Sequence, residues 1–432
     1  MIREASERRK LLNVYRSVLR QDLLPFWERA VDPVRGGVYT CFDNRGERRL
    51  SSDKYTWSQG RFLWIWSRMA DLCARKLAEG DPNRYLEQAA RTYRFLRRHA
   101  CLPNGHCAFL LAENGEPKEP VEGLGYDTSF YADCFVILGY TEYGRVSGDR
   151  EALRQAALLY ESVERRLRAK TVRSEPYPVP EGMASHGYAM IMLNAAQELA
   201  DAWASVDRRQ ADWFRQRSAA YMADIMKRFR DSQGRVREVL PDGETAERHE
   251  SDRLLLRHIN PGHTVESMWF VMREAAKTGN RDYVRQAALS VKRALELGWD
   301  NEYGGLLRYV DKDGGPPSGR RTIGIEEAER FETLIETTWS TKLWWPHSES
   351  LYAALLGYRL TGDEELADWY ERLHRYAFSV FPNDDKAVGE WIQIRERDGR
   401  PSEQVVALPV KDPYHLLRNV MLIIELLCDW ER

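Results

Sequence analysis

A histidine, a carboxylate and a tryptophan follow one another at helical spacing within the stretch from Arg253 to Phe270, RLLLRHINPGHTVESMWF. Asn260-Pro261-Gly262 interrupts the apolar run, and proline is tolerated in the first turn of a helix because the N–H it lacks would have no partner there. His263, Glu266 and Trp269 then share one face of the predicted helix, at successive i, i+3 spacings. An imidazole beside a carboxylate can transfer protons near neutral pH. The alternative is a packed core helix with one hydrogen-bonded histidine, and this stretch alone does not decide between them.

Two earlier stretches combine charged or phenolic side chains with aromatic ones. In TWSQGR, Trp57 and Arg61 are i and i+4 and share a face. An arginine on an otherwise apolar helix must be paired or must line a wet cavity. Tyr131, in SFYADCF, either points its phenol at such a cavity or packs in the core.

Three later stretches have the same character. KLWWPHSE opens a predicted helix and contains Trp345 and Glu349, and GEW places Trp391 in a hairpin that could present an indole at a rim. In DPYHLLR, a proline opens the last predicted helix, and His415 and Arg418 follow on one face.

Composition excludes several classes of function. The 432 residues are 43% hydrophobic and 30% charged, as in ordinary globular proteins, and the net charge of −2 without a basic stripe argues against a nucleic-acid partner. The six cysteines lack C-x-x-C spacing, which argues against a zinc ribbon or a disulfide framework and favours a cytoplasmic location. No signal-like or membrane-length apolar run and no Rossmann or P-loop pattern occurs, so we expect no membrane, metal or cofactor.

Apolar residues recur at helical spacing through most of the chain. The sequence predicts twelve helices, at about 5–29, 56–79, 83–100, 126–147, 150–169, 184–205, 208–230, 262–279, 281–297, 347–361, 364–381 and 413–430. Between them, short apolar runs end in Asn or Asp near Gly, the signature of β-hairpin turns, and they recur about once per helix pair. We therefore predict an all-α (α/α)6 barrel with short β-hairpins at one rim, as a single domain of residues 1–432. Asp311 to Arg330 is predicted to be a long exposed loop.

Together, TWSQGR, Tyr131 with Phe135, NPGHTVESMW, KLWWPHSE, GEW and DPYHLLR resemble, in this order, the motifs of the N-acylglucosamine 2-epimerase family. This family includes N-acylglucosamine 2-epimerases, cellobiose 2-epimerases and mannose-type aldose–ketose isomerases. The resemblance covers nearly the whole chain and implies the same (α/α)6 barrel. It also implies that His263 and His415 are the two catalytic histidines, and it is compatible with a homodimer.

The resemblance and the shared helical faces give a set of candidate substrate-binding residues: Arg61, Tyr131, Asn194, Arg253, Glu266, Trp391, Trp57, Trp269, Trp345, Glu349 and Arg418. Asn194 stands where cellobiose epimerases and aldose–ketose isomerases have a histidine, which favours the N-acylglucosamine branch. His347 stands where a glutamine is more usual. His186, two turns before Asn194, receives no role.

Inversion at C2 of a sugar requires an opened aldehyde, a base that removes the C2 proton and an acid on the opposite face. Two histidines suit this reversible exchange through an enediol or enediolate, and no cofactor is needed. We therefore expect an isomerase, a sugar 2-epimerase. An aldose–ketose isomerase would use the same enediol and return the proton to C1. A glycoside hydrolase needs two carboxylates flanking the bond, and a non-catalytic carbohydrate-binding protein would have no use for both histidines.

Overall fold

The computed structural model describes residues 1–242, 252–405 and 408–430. Its α-helices are α1 Ala5–Ser17, α2 Leu24–Arg29, α3 Thr56–Ala74, α4 Pro82–His99, α5 Phe130–Ser147, α6 Arg150–Arg168, α7 His186–Trp203, α8 Arg208–Asp224, α9 Leu254–Arg257, α10 Pro261–Lys277, α11 Arg281–Gly298, α12 Glu326–Thr338, α13 Trp344–Thr361, α14 Glu364–Val380 and α15 Tyr414–Trp430. Two π-helical segments, Val18–Leu23 and Ile225–Phe229, extend α1 and α8.

Helices alternate between an inner and an outer position along the chain. Within the described residues, six inner helices pack side by side in the order α3, α5, α7, α10, α13 and α15, and α15 packs against α3, which closes the ring. Each inner helix also packs against one outer helix: α4, α6, α8, α11 and α14 for the first five, and α1 for α15. The closed ring of helix pairs confirms the predicted (α/α)6 barrel.

The burial of each helix explains its layer. Inner helix α3 buries almost every residue from Thr56 to Cys73, because it touches neighbours on all sides. Outer helix α4 buries one stripe only, including Tyr85, Ala89 and Leu96, and exposes its charged face to water. Within the described residues, no helix combines the length and apolarity needed to span a membrane.

Short strands gather where the inner helices begin. They are β1 Lys54–Tyr55, β2 Leu110–Leu111, β3 Pro117–Lys118, β4 Met183–Ser185, β5 Val239–Pro241, β6 His258–Ile259, β7 Val310–Asp311, β8 Lys342–Leu343 and β9 Ile394–Arg395. They pair antiparallel as β1-β2-β3, β4-β5, β6-β7 and β8-β9. Because β1, β4, β6 and β8 each run into an inner helix, the strands mark the rim at which those helices start, as predicted.

Two helices were not predicted. The four-residue α9 precedes β6, and α12 begins at Glu326, inside the stretch predicted to be an exposed loop. The Gly-Pro-rich half of that stretch forms no helix, and its first residue belongs to β7. By contrast, α12 starts with acidic residues, which favour a helix N-terminus. It buries Ala328, Glu332 and Ile335 on one side. The loop prediction is therefore wrong from residue 326 onward.

Candidate active site

The first turn of α10 fixes His263 at the rim. Asn260 caps this helix, and its side chain accepts a hydrogen bond from the backbone N–H of His263 at 3.2 Å. Gly262 lies against the indole of Trp345, and a β-carbon at position 262 would lie 2.5 Å from Trp345 Cη2. The Asn-Pro-Gly sequence thus starts the helix and permits this close approach.

His263 is paired with a buried carboxylate. Its Nδ1 lies 2.8 Å from Oε2 of Glu238, and its side chain keeps 33% of its surface exposed. Burial alone would lower the pKa of His263, but the charge and hydrogen bond of Glu238 outweigh it and raise the pKa above its usual 6.5. Burial opposes ionisation of Glu238 as well, yet His263 and His186 lower the pKa of this carboxyl. The Glu238 carboxylate therefore holds the Nδ1 side of an imidazole whose ring remains accessible.

His415 has the same kind of partner. Its Nδ1 lies 2.7 Å from Oε1 of Glu349 and 3.7 Å from Oε1 of Glu266. Glu349 is fully buried and also accepts hydrogen bonds from Arg418 and Trp269, both at 2.7 Å. Burial opposes ionisation, but Arg418 and these hydrogen bonds lower the pKa of Glu349 to about 2. His415 is thus backed by a permanent anion, as His263 is.

Trp345 lies against both imidazoles. Its ring centroid is 5.2 Å from that of His263 and 5.4 Å from that of His415, with tilted planes in both cases. The two imidazoles therefore lie no farther apart than the sum of these distances. The two histidines thus lie near each other, and their joint catalytic role stays a prediction.

Arg61, Trp57 and Tyr131 lie on α3 and α5, which follow α15 around the closed ring. Arg61 is buried, forms an ion pair with Asp412, and lies 3.9 Å over the ring of Phe135 and 5.2 Å over that of Trp57. Tyr131 is half-buried, and its hydroxyl would lie 2.9 Å from a β-carbon on residue 187, which is a glycine. Arg61 is thus paired, one of the two outcomes expected for an arginine on an apolar helix.

Asn194 and Arg253 lack described side-chain contacts to either histidine. Asn194 is buried on α7, and its Oδ1 has no hydrogen-bond partner among the described residues. Arg253 is half-buried just before α9 and pairs through its backbone with Arg320.

Several predicted sugar contacts are instead buried. Trp391 is 1% exposed and stacks on Phe381 at 5.5 Å with planes 14° apart, so the prediction of an indole at the rim is wrong. Its aromatic neighbours, Phe378 and Phe381, lie at the C-terminal end of outer helix α14. Trp269 and Glu349 are also fully buried, which corrects the prediction that their side chains contact the sugar directly. Instead, the indole N–H of Trp269 donates a hydrogen bond to Glu349, and Glu349 is hydrogen-bonded to Nδ1 of His415. Arg418, likewise buried, donates to both Glu266 and Glu349.

Sequence reasoning missed Glu238 and Asp412. Asp412 belongs to the DPYHLLR stretch and accepts a hydrogen bond from the backbone N–H of Tyr414, at the start of α15. Its position just before a predicted helix could have identified it as a capping residue. Glu238 lies just before β5, 25 residues from its partner His263, and no spacing rule connects the two. His347, noted as unusual, is fully buried: its Nε2 accepts from Leu306 N–H and its Nδ1 donates to Leu343 O.

Glu266, Glu349 and His415 present oxygen and nitrogen atoms within 4.8 Å of one another, an arrangement that could hold a cation. Arg418 already donates to both carboxylates and compensates their charge. A separate cavity of about 590 Å³ lies between α12 and residues 176–178, and neither catalytic candidate lines it.

The chain matches the family of N-acylglucosamine 2-epimerase (GlcNAc 2-epimerase) over residues 37–419. It is 30% identical to an N-acylglucosamine 2-epimerase of Bos taurus over 94% of this chain and 88% of that protein. It is 23% identical to a cellobiose 2-epimerase of Ruminococcus albus over 96% of this chain and 98% of that protein. The structure of a cellobiose 2-epimerase from Bacillus thermoamylovorans superposes with a TM-score of 0.74 at 21% identity, covering 96% of this chain and 99% of the other.

Proposed function

Because this chain belongs to the N-acylglucosamine 2-epimerase family, we propose that it inverts the configuration at C2 of an N-acylated aldose, interconverting N-acylglucosamine and N-acylmannosamine. The observation that carries this proposal is the pair of imidazoles that both lie against Trp345, each held through Nδ1 by its own buried carboxylate. Two such imidazoles are what a proton exchange on opposite faces of one carbon requires.

The reaction begins with the open-chain aldehyde, because only then is the C2 hydrogen acidic. One imidazole, neutral at Nε2, accepts the C2 proton as the C2–H bond breaks, which leaves an enediolate. The other imidazole, protonated, donates its Nε2 proton to the opposite face of C2. The configuration is inverted, and the two histidines exchange protonation states, so the reverse reaction runs by the same route.

Each neighbouring group has an assigned role in this proposal. Glu238 and Glu349 orient the imidazoles and stabilise the protonated form, as carboxylates do for catalytic histidines. Arg61 provides positive charge for the oxygen on C1 as the enediolate forms. Trp345 supplies a flat apolar wall beside both bases.

Two observations favour an N-acylated substrate over a disaccharide or a simple hexose. Identity to the bovine N-acylglucosamine 2-epimerase is higher than to the cellobiose 2-epimerase of Ruminococcus albus, 30% against 23%. Position 194 has an asparagine, as in the N-acylglucosamine branch, and its Oδ1 is unpaired among the described residues.

Glycoside hydrolysis receives no support from the carboxylates around His415. Hydrolysis would require an acid and a second carboxylate free to flank the glycosidic bond. Glu266 and Glu349 both accept hydrogen bonds from Arg418, and Glu349 is fully buried.

A substrate panel in deuterated water tests the proposal. N-acetylmannosamine, mannose and cellobiose are incubated separately with the protein, and C1 and C2 are followed by NMR. We expect deuterium at C2 and two aldoses from N-acetylmannosamine. A new ketose would mean aldose–ketose isomerisation, and turnover of cellobiose or mannose alone would reassign the substrate.

None of the six cysteines forms a disulfide in the part of the chain that the structure describes, which supports a cytoplasmic location. We also propose that residues 1–432 form one domain and that a homodimer is the assembly to test, for example by light scattering.

A further inference from the structure

His186 occupies the first position of α7, directly after β4. Its backbone N–H donates to the carbonyl of Glu238 at 2.9 Å, which continues the ladder between β4 and β5. The pairing of these two strands therefore places the His186 side chain next to the carboxylate that holds His263.

The ring of His186 is completely buried, and it has no hydrogen-bond partner among the described residues. Neither of its nitrogens, nor Oε1 of Glu238, has a partner among the described residues. His186 Nδ1 and this Oε1 are 3.6 Å apart. A buried polar atom left unpaired is destabilising, and a closure of less than about 1 Å would give a normal hydrogen bond. A small shift of either side chain would therefore join Nδ1 of His186 to Oε1 of Glu238.

We propose that His186 is a positioning residue for the C2 epimerisation: its Nδ1–H donates to Glu238 Oε1 and thereby fixes Oε2 against Nδ1 of His263. The carboxylate of Glu238 thus contacts two imidazoles, His186 through Oε1 and His263 through Oε2. The inference rests on the proposed function, because it assigns a role to His186 in the reaction of His263.

The proposed hydrogen bond also sets the basicity of His263. A donor on Oε1 withdraws negative charge from the carboxylate, so it weakens the attraction between Glu238 and the protonated imidazole. Without this donor, the pKa of His263 should rise further. The other titratable or charged groups that interact electrostatically with His186, Glu238 or His263 are Glu266, Arg308, His258, Tyr131, Tyr309 and Asp224.

Three substitutions of His186 separate positioning from packing. His186→Asn keeps a donor near the Nδ1 position, whereas His186→Gln moves the donor toward the Nε2 position and His186→Leu removes it. We expect kcat to fall about 10-fold in His186→Leu and His186→Gln with KM within about twofold, and to recover in His186→Asn. The matched control is His374→Leu, since His374 also has an unpaired buried Nε2 but lies on outer helix α14.

The pKa of His263 provides a readout that needs no turnover. NMR titration of protein labelled at histidine Cε1, with the His263 signal assigned from His263→Gln, should show a rise of about 0.5–1 pH unit in His186→Leu. His186→Asn should stay near the wild-type value, and His374→Leu should not change it. His186→Gln carries the same comparison if His186→Leu fails to fold.

An unchanged His263 titration in folded His186→Leu or His186→Gln would overturn the inference, as would equal loss of activity in the Asn and Gln variants. Absence of epimerase activity in the wild-type protein would instead refute the proposed function. The NMR titration would still decide whether His186 acts on Glu238 and His263.

Discussion

The imidazoles of His263 and His415 contact the same indole from different helices, with centroid distances of 5.2 and 5.4 Å to Trp345. His263 is in the first turn of α10 and His415 is in that of α15. Both helices begin at the rim marked by the short strands. Because α10 and α15 both pack against α13, the helix that contains Trp345, two residues that are 152 positions apart in the sequence come together.

The two histidines should be separable by isotope exchange. In His263→Gln and His415→Gln, net epimerisation should fall by at least about 10³-fold, because each variant lacks one of the two proton-transfer groups. The remaining imidazole can still remove the C2 proton from the epimer that faces it. Proton NMR in deuterated water should show C2 exchange in one epimer for one variant and in the other epimer for the second. Exchange of both epimers in either variant would contradict the two-base mechanism.

Glu238→Gln should weaken catalysis through His263. Loss of the anion removes the interaction that raises the pKa of His263, so this pKa should fall and the protonated form should be lost at lower pH. We expect kcat/KM to decrease by at least about 10²-fold, measured across a pH series. Glu332→Gln is the control, because Glu332 is also buried but accepts its hydrogen bonds from Thr322. A Glu238→Gln profile that superimposes on that of the control would refute the role.

Gly262→Ala should displace Trp345. The new β-carbon would meet the indole at 2.5 Å, and the ring must move or the helix must shift. We expect a stability loss of about 1–3 kcal/mol together with a decrease in kcat/KM of about 10-fold or more. Gly357→Ala is the matched control, since its β-carbon would meet Leu366 of the outer layer at 2.7 Å. It should lower the free energy of unfolding and leave kcat/KM unchanged.

Trp391→Ala tests the corrected position of this indole. Because the ring is buried against Phe381 and Phe378, its removal should cost about 3–5 kcal/mol of unfolding free energy. KM of the folded variant should change less than about twofold, as measured at a temperature well below unfolding. A large rise in KM at unchanged stability would restore Trp391 as a sugar contact.

His347 should make stability depend on pH. Burial lowers the pKa of His347 to about 3, with a smaller opposing effect from its hydrogen bond to the Leu343 carbonyl. The unfolded chain therefore binds a proton below about pH 6.5 that the folded protein does not bind until about pH 3. Stability from this group is complete above pH 6.5 and is lost as the pH falls toward 3, by up to about 1.4 kcal/mol per pH unit.

His347→Gln should remove this contribution. Chemical denaturation between pH 7 and 4.5 should give a shallower dependence of the unfolding free energy on pH than in the wild-type protein. Equal slopes would show that His347 does not titrate on unfolding in this range.

The helices, their alternation and the helix ends at which chemically reactive residues are concentrated were predictable from the amino-acid sequence. Helical periodicity depends on residues three and four apart, and turn signals depend on adjacent residues, so both are readable locally. The twelve predicted helices correspond to inner and outer pairs of the ring, and NPGHTVESMW and DPYHLLR marked the first turns that contain His263 and His415. The prediction of a single domain stays a prediction.

Which side chains face one another depends instead on how distant segments pack. Glu238, just before β5, reaches His263 in the first turn of α10 because both segments lie at the rim, a contact that no spacing in the sequence encodes. The same holds for the burial of Trp391, which depends on aromatic rings of α14, and for Arg418, whose charge is shared by carboxylates from two other helices. Such contacts arise when distant segments are packed around one closed ring, because packing fixes distance and burial independently of separation along the chain.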